Sequence, residues 1–258
     1  MKLSSEKPDS PRIGLDVSEF DEILLAKPQP LLIGGQAVNL WAKVMLQQVP
    51  ELDRLQPFLS KDCDVYGTSD FLLRHASTKP WKVTFSKKGQ PSPVVGYLYA
   101  EKTRGKPLLV EVLYSVKGLT PKDVTKVSEV ELDGKTYRTL NPVTLLKAKL
   151  ANYTELPQNT PGQERDDLKH IKILVPCVSN FISQAHARVQ NAQQERKLVD
   201  LLEETLQVIR SERAVRTAHE QEINFMICFP PALSSSTHSR IQNFYTKHLL
   251  PLKGGDIT

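Results

Sequence analysis

Two glycines and three acids are the residues of this 258-residue chain whose types and spacing could do chemistry. The apolar run Leu31-Leu32-Ile33 ends in Gly34-Gly35, and a helical pattern opens at Gln36. A short strand that breaks into a helix through glycines can present backbone N–H groups to a phosphate. Further on, Asp62 and Asp64 alternate around Cys63. At i and i+2 of a strand two carboxylates point to the same face and can jointly hold Mg²⁺, which takes oxygen ligands. A third acid, Glu111, interrupts the apolar segment Leu108–Leu113. A carboxylate there is costly to bury unless it is paired or bound to a metal. A salt bridge to a nearby lysine is the ordinary alternative to a metal ligand. A phosphate cradle beside a metal clamp is the equipment that nucleotide chemistry requires.

The surrounding pattern supplies elements to position these groups. Residues 1–12 are polar and read as a disordered lead. Asp16–Ala26 reads as a short helix, Leu31–Ile33 as a buried strand, and Gln36–Gln48 as a helix with Val38, Trp41, Ala42 and Met45 inward. Pro50–Leu59 reads as a loop, the Asp62 segment as a strand, and Leu72–Ala76 as helical. Strands are expected at Trp81–Ser86, Val94–Ala100 and Leu108–Val116. A further hairpin, Val127–Leu132 with Thr136–Leu140, turns on Asp133-Gly134, a dipeptide suited to tight turns. Asn141-Pro142 is a helix start, with Asn as N-cap and Pro at the first helical position. Helices follow at Gln163–Leu174, over Val178–Glu220 as one or two, and at Ser239–Leu249, after a Pro- and Ser-rich break at Phe225–Ser236. The fold class is therefore α+β, with a mixed sheet and flanking helices over residues 13–140 and a helical domain over 141–258.

Composition sets bounds on function. The formal net charge is +5 and evenly spread, too mild to establish a nucleic-acid partner by itself. Locally, Lys79, Lys82, Lys87, Lys88, Lys102, Arg104 and Lys106 are opposed only by Glu101. These are either solvated hairpin tips or a basic rim for a polyanion. Cys63, Cys177 and Cys228 are far apart and fit neither a disulfide framework nor a zinc site. No apolar run approaches the roughly 20 residues that cross a bilayer, so no membrane partner is expected and a cytoplasmic location is. The six histidines show no metal-ligand spacing and read as structural, with His170 the one to watch.

Gly34-Gly35-Gln36-Ala37-Val38-Asn39-Leu40-Trp41-Ala42 followed by Ser60-Lys61-Asp62-Cys63-Asp64 resembles the DNA polymerase β-like nucleotidyltransferase superfamily, and within it the bacterial AbiEii-type (type IV toxin) nucleotidyltransferase-like proteins. That resemblance implies a nucleotidyltransferase-fold sheet in which Gly34, Gly35 and Ser60 grip an NTP. It also implies that Asp62, Asp64 and Glu111 hold two Mg²⁺ ions, although the family more often has Asp at the third position. Leu145–Ala151 and Arg165–Ile171 are similar to the family's lysine-bearing helix and its Arg…Asp helix. Lys147 or Lys149 would then contact nucleotide phosphate, and Asp167 or Asp166 would act as a base or positioning residue.

The expected activity is Mg²⁺-dependent transfer of an NMP from an NTP to an acceptor hydroxyl, with RNA or the tRNA 3′ end as acceptor and a cognate antitoxin as partner. Transfer to a protein or a small molecule is the first alternative. A catalytically silent binding or interaction protein that keeps the fold is the second.

Overall fold

The computed structural model describes residues 14–76, 80–87, 92–101, 107–160 and 164–253. Its strands are β1 (Leu31–Ile33), β2 (Cys63–Tyr66), β3 (Lys82–Phe85), β4 (Val94–Glu101), β5 (Pro107–Leu113), β6 (Val127–Leu132) and β7 (Lys135–Leu140). They form one mixed seven-stranded sheet in the order β3-β4-β5-β2-β1-β7-β6. Strand β2 runs parallel to β5 and antiparallel to β1, and β1 runs parallel to β7. Asp133 and Gly134 both take positive φ, 51° and 72°, which gives the tight turn that the Asp-Gly pair predicts between β6 and β7.

The helices are α1 (Asp21–Leu24), α2 (Gly34–Met45), α3 (Ser69–His75), α4 (Pro142–Glu155), α5 (Asp167–Ala187), α6 (Ala192–Ile209), α7 (Glu212–Gln221), α8 (Ser239–Phe244) and α9 (Leu250–Lys253). A π-helical stretch, Tyr245–Leu249, links the last two. The architecture is α+β, a mixed sheet with flanking helices followed by helices alone.

Helix α2 packs on β1, β2 and β6 and against α4 and α5, so it is the joint between sheet and helices. One continuous apolar cluster runs from Leu15 through Leu32, Val38, Val65, Leu146 and Ile171 to Leu249. Trp41 is tied into it by donating from Nε1 to the Leu140 carbonyl at 2.9 Å. Helix α4 starts as its sequence predicts: the Asn141 side chain accepts from the Thr144 N–H, and Pro142 follows.

Several boundaries differ from expectation. Helix α5 begins at Asp167 rather than Gln163 and runs unbroken through Pro176. An interior proline costs a hydrogen bond and a clash, about 3 kcal/mol, but Leu174, Cys177, Val178 and Ile182 continue one buried face across it. The stretch after it holds two further helices, because Ser211 caps α7 by accepting from the Ala214 N–H. The loop after α2 contains a 3-10 helix at Pro50–Leu55, whose Leu52 is fully buried.

Candidate active site

The register of the three central strands brings the acids to the glycine turn. Ile33, the residue before Gly34, pairs with Asp64, and Asp64 pairs with Glu111 on the parallel neighbour. Paired residues share a sheet face, so Asp64 and Glu111 stand side by side, with Asp62 on the same side at the strand entry. The opposite face is apolar: Cys63, Val65, Val110 and Val112 are fully buried. Burial and the neighbouring Asp64 and Asp62 charges push the Cys63 thiol's pKa well above its usual range. Asp62, Asp64 and Glu111 are half-buried on the open face.

Gly34 takes φ +68°, a conformation that a residue with a Cβ adopts only at a cost. A Cβ there would also run into the Asp64 carboxylate, so the glycine is required twice, by its backbone and by its neighbour. At Gly35 a Cβ would lie 2.7 Å from Ser60 Oγ and 3.2 Å from His170 Cε1. Ser60 is fixed by a two-way backbone bridge to Leu15, at 2.8 and 3.1 Å. Leu15 is in turn held by Gln36 Nε2, which donates to its carbonyl at 2.9 Å. The start of α2 has no side-chain cap and no acid in its first turn. A helix start of this kind favours negative charge, and the Asp64 carboxylate stands against it at Gly34.

The helical side contributes an ion cluster. Lys149 Nζ donates to Asp167 Oδ1 at 2.9 Å and Arg165 Nε to Oδ2 at 2.6 Å. Asp167 is 1% exposed. Burial works to raise its pKa, but the Lys149 charge and the hydrogen bonds from Arg165 and Lys149 prevail and hold it at about 2. A carboxylate with both oxygens on cations is a poor proton acceptor and a good positioning group. Asp166 lies outside, at the N-cap, and is exposed.

His170, one turn into α5, is 6% exposed, and its Nδ1 is buried without a hydrogen-bond partner. Burial first, then the Lys149 charge, pull its pKa well below the usual value, with Asp167 opposing. The ring is neutral at physiological pH. Lys147 goes elsewhere. Two positions along a helix turn a side chain through about 200°, and Lys147 donates to Asp123 Oδ2 at 2.8 Å. That carboxylate also takes Lys126 at 3.0 Å, and Lys126 reaches Glu204 at 2.7 Å.

The structure thus gathers Gly34, Gly35, Ser60, Asp64 and Glu111 around the start of α2, with Asp62 at the strand entry. It brings His170 to Gly35 with Lys149 and Asp167 behind it, and leaves Lys147 apart. Sequence reading leaves out Gln36; a buried amide inside an apolar helix gives no local sign of what it anchors.

The oxygen-only donor set of Asp62, Asp64 and Glu111 has the chemistry that Mg²⁺ takes. Among the described residues, no three His, Cys, Asp or Glu side chains are gathered closely enough to hold a metal ion. Each of the three acids already engages a partner, so metal binding there exchanges existing contacts. Of the basic stretch, Lys82 and Lys87 are described, and Lys82 pairs with Glu101 at 3.6 Å. Lys79, Lys88, Lys102, Arg104 and Lys106 lie outside the described residues. No helix among the described residues is long and apolar enough to cross a membrane.

No family model matches the chain, and no curated protein matches it. Among solved structures it is similar to an antigenic nucleotidyltransferase-like protein from Paracoccidioides brasiliensis, at 13% identity and a TM-score of 0.41, over 88% of this chain and 100% of that one. It is also similar to the Megavirus polyadenylate synthase, at 13% identity and a TM-score of 0.35, over 96% of this chain and 58% of that one.

Proposed function

We propose that this chain is a nucleotidyltransferase of the polymerase β-like type, moving an NMP from an NTP to an acceptor hydroxyl with Mg²⁺. The observation that carries the reading is the register Ile33–Asp64–Glu111, which sets two acids beside a left-handed glycine at a helix start. The N–H groups at the start of α2, from Gly34 onward, bind the phosphate oxygens, and Ser60 Oγ stands at Gly35 to join them.

Asp62, Asp64 and Glu111 would hold the ions, and to do so their side chains would have to draw closer together than they stand in this structure. Mg²⁺ bound there supplies Lewis-acid polarisation of the α-phosphate and charge neutralisation on the leaving group. The acceptor oxygen forms a bond to the α-phosphorus as the bond to pyrophosphate breaks, and the acceptor proton passes to a carboxylate or to water. Lys149, held by Asp167, adds positive charge on the helical side of the turn.

The acceptor we assign is RNA, on the strength of the AbiEii-like sequence features, and a neutralising antitoxin belongs to the same reading. The described basic residues Lys82 and Lys87 would face such a polyanion. RNA as acceptor predicts a steep fall of binding with salt; a protein or small-molecule acceptor does not.

The test is calorimetric titration of each NTP, with and without Mg²⁺, into wild type and the double variant Asp62→Ala, Asp64→Ala. Metal-dependent binding that is lost in a folded double variant supports the reading and names the donor. Absence of binding for all four NTPs in folded wild type overturns it.

A further inference from the structure

His170 stands in an arrangement that the reaction scheme above does not use. Its imidazole is more than nine-tenths buried, and its Nδ1 has no hydrogen-bond partner. Leaving such a group unsatisfied costs on the order of 1–3 kcal/mol, so it calls for a partner from outside the chain, a water or a ligand. The Cε1 corner, to which both ring nitrogens are bonded, faces Gly35 next to the Ser60 hydroxyl. The start of α2, which has no side-chain cap, begins at the same two glycines.

Three contacts hold this turn of helix in place. Asp167, one turn earlier on α5, is clamped by Lys149 and Arg165. The His170 N–H donates to the Asp166 carbonyl at 2.9 Å. Lys169 Nζ ties the same turn of helix to the Pro57 carbonyl at 2.7 Å. A histidine on a turn held this firmly, with its Cε1 corner against the glycine turn and a buried Nδ1 that has no partner, is suited to meeting a ligand oxygen.

We propose that His170 is a phosphate-binding residue of this site, donating a hydrogen bond from its imidazole to an oxygen of the bound nucleoside triphosphate beside Gly35. The inference rests on the nucleotidyltransferase reading and adds to it a ligand group from the helical half of the chain. It makes the start of α5 part of the substrate site, so the sheet and helices must be docked for tight binding.

The experiment is calorimetric titration of the four NTPs with Mg²⁺ into wild type, His170→Leu and His170→Asn, with thermal melts as the fold control. Leu and Asn share the same branched outline of four side-chain heavy atoms, against six in His, so they differ from each other mainly in hydrogen bonding. His170→Leu weakens binding of the preferred NTP about tenfold, about 1.4 kcal/mol, while His170→Asn keeps most of the affinity. Equal affinity for wild type and His170→Leu overturns the inference and leaves the nucleotidyltransferase reading standing. Equal losses in Leu and Asn also overturn it, because shape rather than hydrogen bonding is then at work. Failure of folded wild type to bind any NTP overturns both.

Discussion

Replacing Gly34 by Ala tests the central geometry of the site, because the structure separates two costs at that position and supplies a control for each. The first cost is conformational. Gly34 sits at φ +68°, and a Cβ in the left-handed region costs about 1–2 kcal/mol. Gly134 sits at nearly the same angle, +72°, but a Cβ there meets nothing within 4 Å. Gly134→Ala should therefore lose about 1–2 kcal/mol and no more. The second cost belongs to Gly34 alone, where a Cβ collides with the Asp64 carboxylate and would stand 2.8 Å from Asp64 Cβ. Overpacking of this kind adds about 1–3 kcal/mol. In urea titrations Gly34→Ala should thus exceed Gly134→Ala by about 1–3 kcal/mol. In an Asp64→Gly background, where the obstructing side chain is gone, its cost should fall back to that of Gly134→Ala. The coupling between the two sites is then the measured steric term. If Gly34→Ala costs no more than Gly134→Ala, or costs the same with and without the Asp64 side chain, the carboxylate does not lie against the glycine turn and the site geometry fails with it.

Other expectations follow from the helical side and the core. Asp167 falls from 3.8 to about 2 on folding, so its stabilisation is complete above about pH 4 and is lost as pH drops toward 2. The loss is about 2 kcal/mol, and urea titrations between pH 5 and 2 should show it in wild type but not in Asp167→Asn. An identical acid limb in both would refute the clamp. Lys147→Ala should reduce stability by about 1–2 kcal/mol, through its hydrogen bond to nearly buried Asp123, yet leave NTP affinity within about twofold. Calorimetry on that variant checks this, and a large affinity loss would return Lys147 to the site. Cys63, Cys177 and Cys228 are all buried, and burial raises each thiol's pKa, to about 12 for Cys228. A thiol-specific disulfide reagent should label none of them in the folded protein and all three in urea; fast labelling of the native state would contradict the packing. Tyr137→Phe removes the 2.6 Å hydrogen bond to Asp21, which also holds Lys135, and should cost about 1–2 kcal/mol by thermal melt.

Local chemistry made the sheet half readable. Strand-helix breaks marked by glycine, alternation around Cys63 and the Asp-Gly turn are signals carried within a few residues, and each sits in the structure where its physics puts it. The register linking Ile33, Asp64 and Glu111 is not such a signal. It depends on β2 lying between β1 and β5, which joins strands about 30 and 50 residues apart and which no window of sequence reports.

The helical half shows why one side of the site could be read only as pairs of alternatives. A helix ordinarily reveals its outward face by a polar stripe, and that stripe would have decided between Lys147 and Lys149. Helix α4 has none, because it is wrapped by α2, α5, α6 and α7, and residues from Pro142 to Ala151 are buried nearly all round. Both lysines therefore had to find acids, and each did, on opposite sides: Lys147 with Asp123, before the β6–β7 hairpin, and Lys149 with Asp167, after the helix. A buried cation without a partner is costly enough to dictate such pairings, but the choice of acid follows from which helices dock, not from spacing. The same docking carries His170 to Gly35, and it explains why a histidine with no ligand-like spacing in the sequence ends up against the glycine turn.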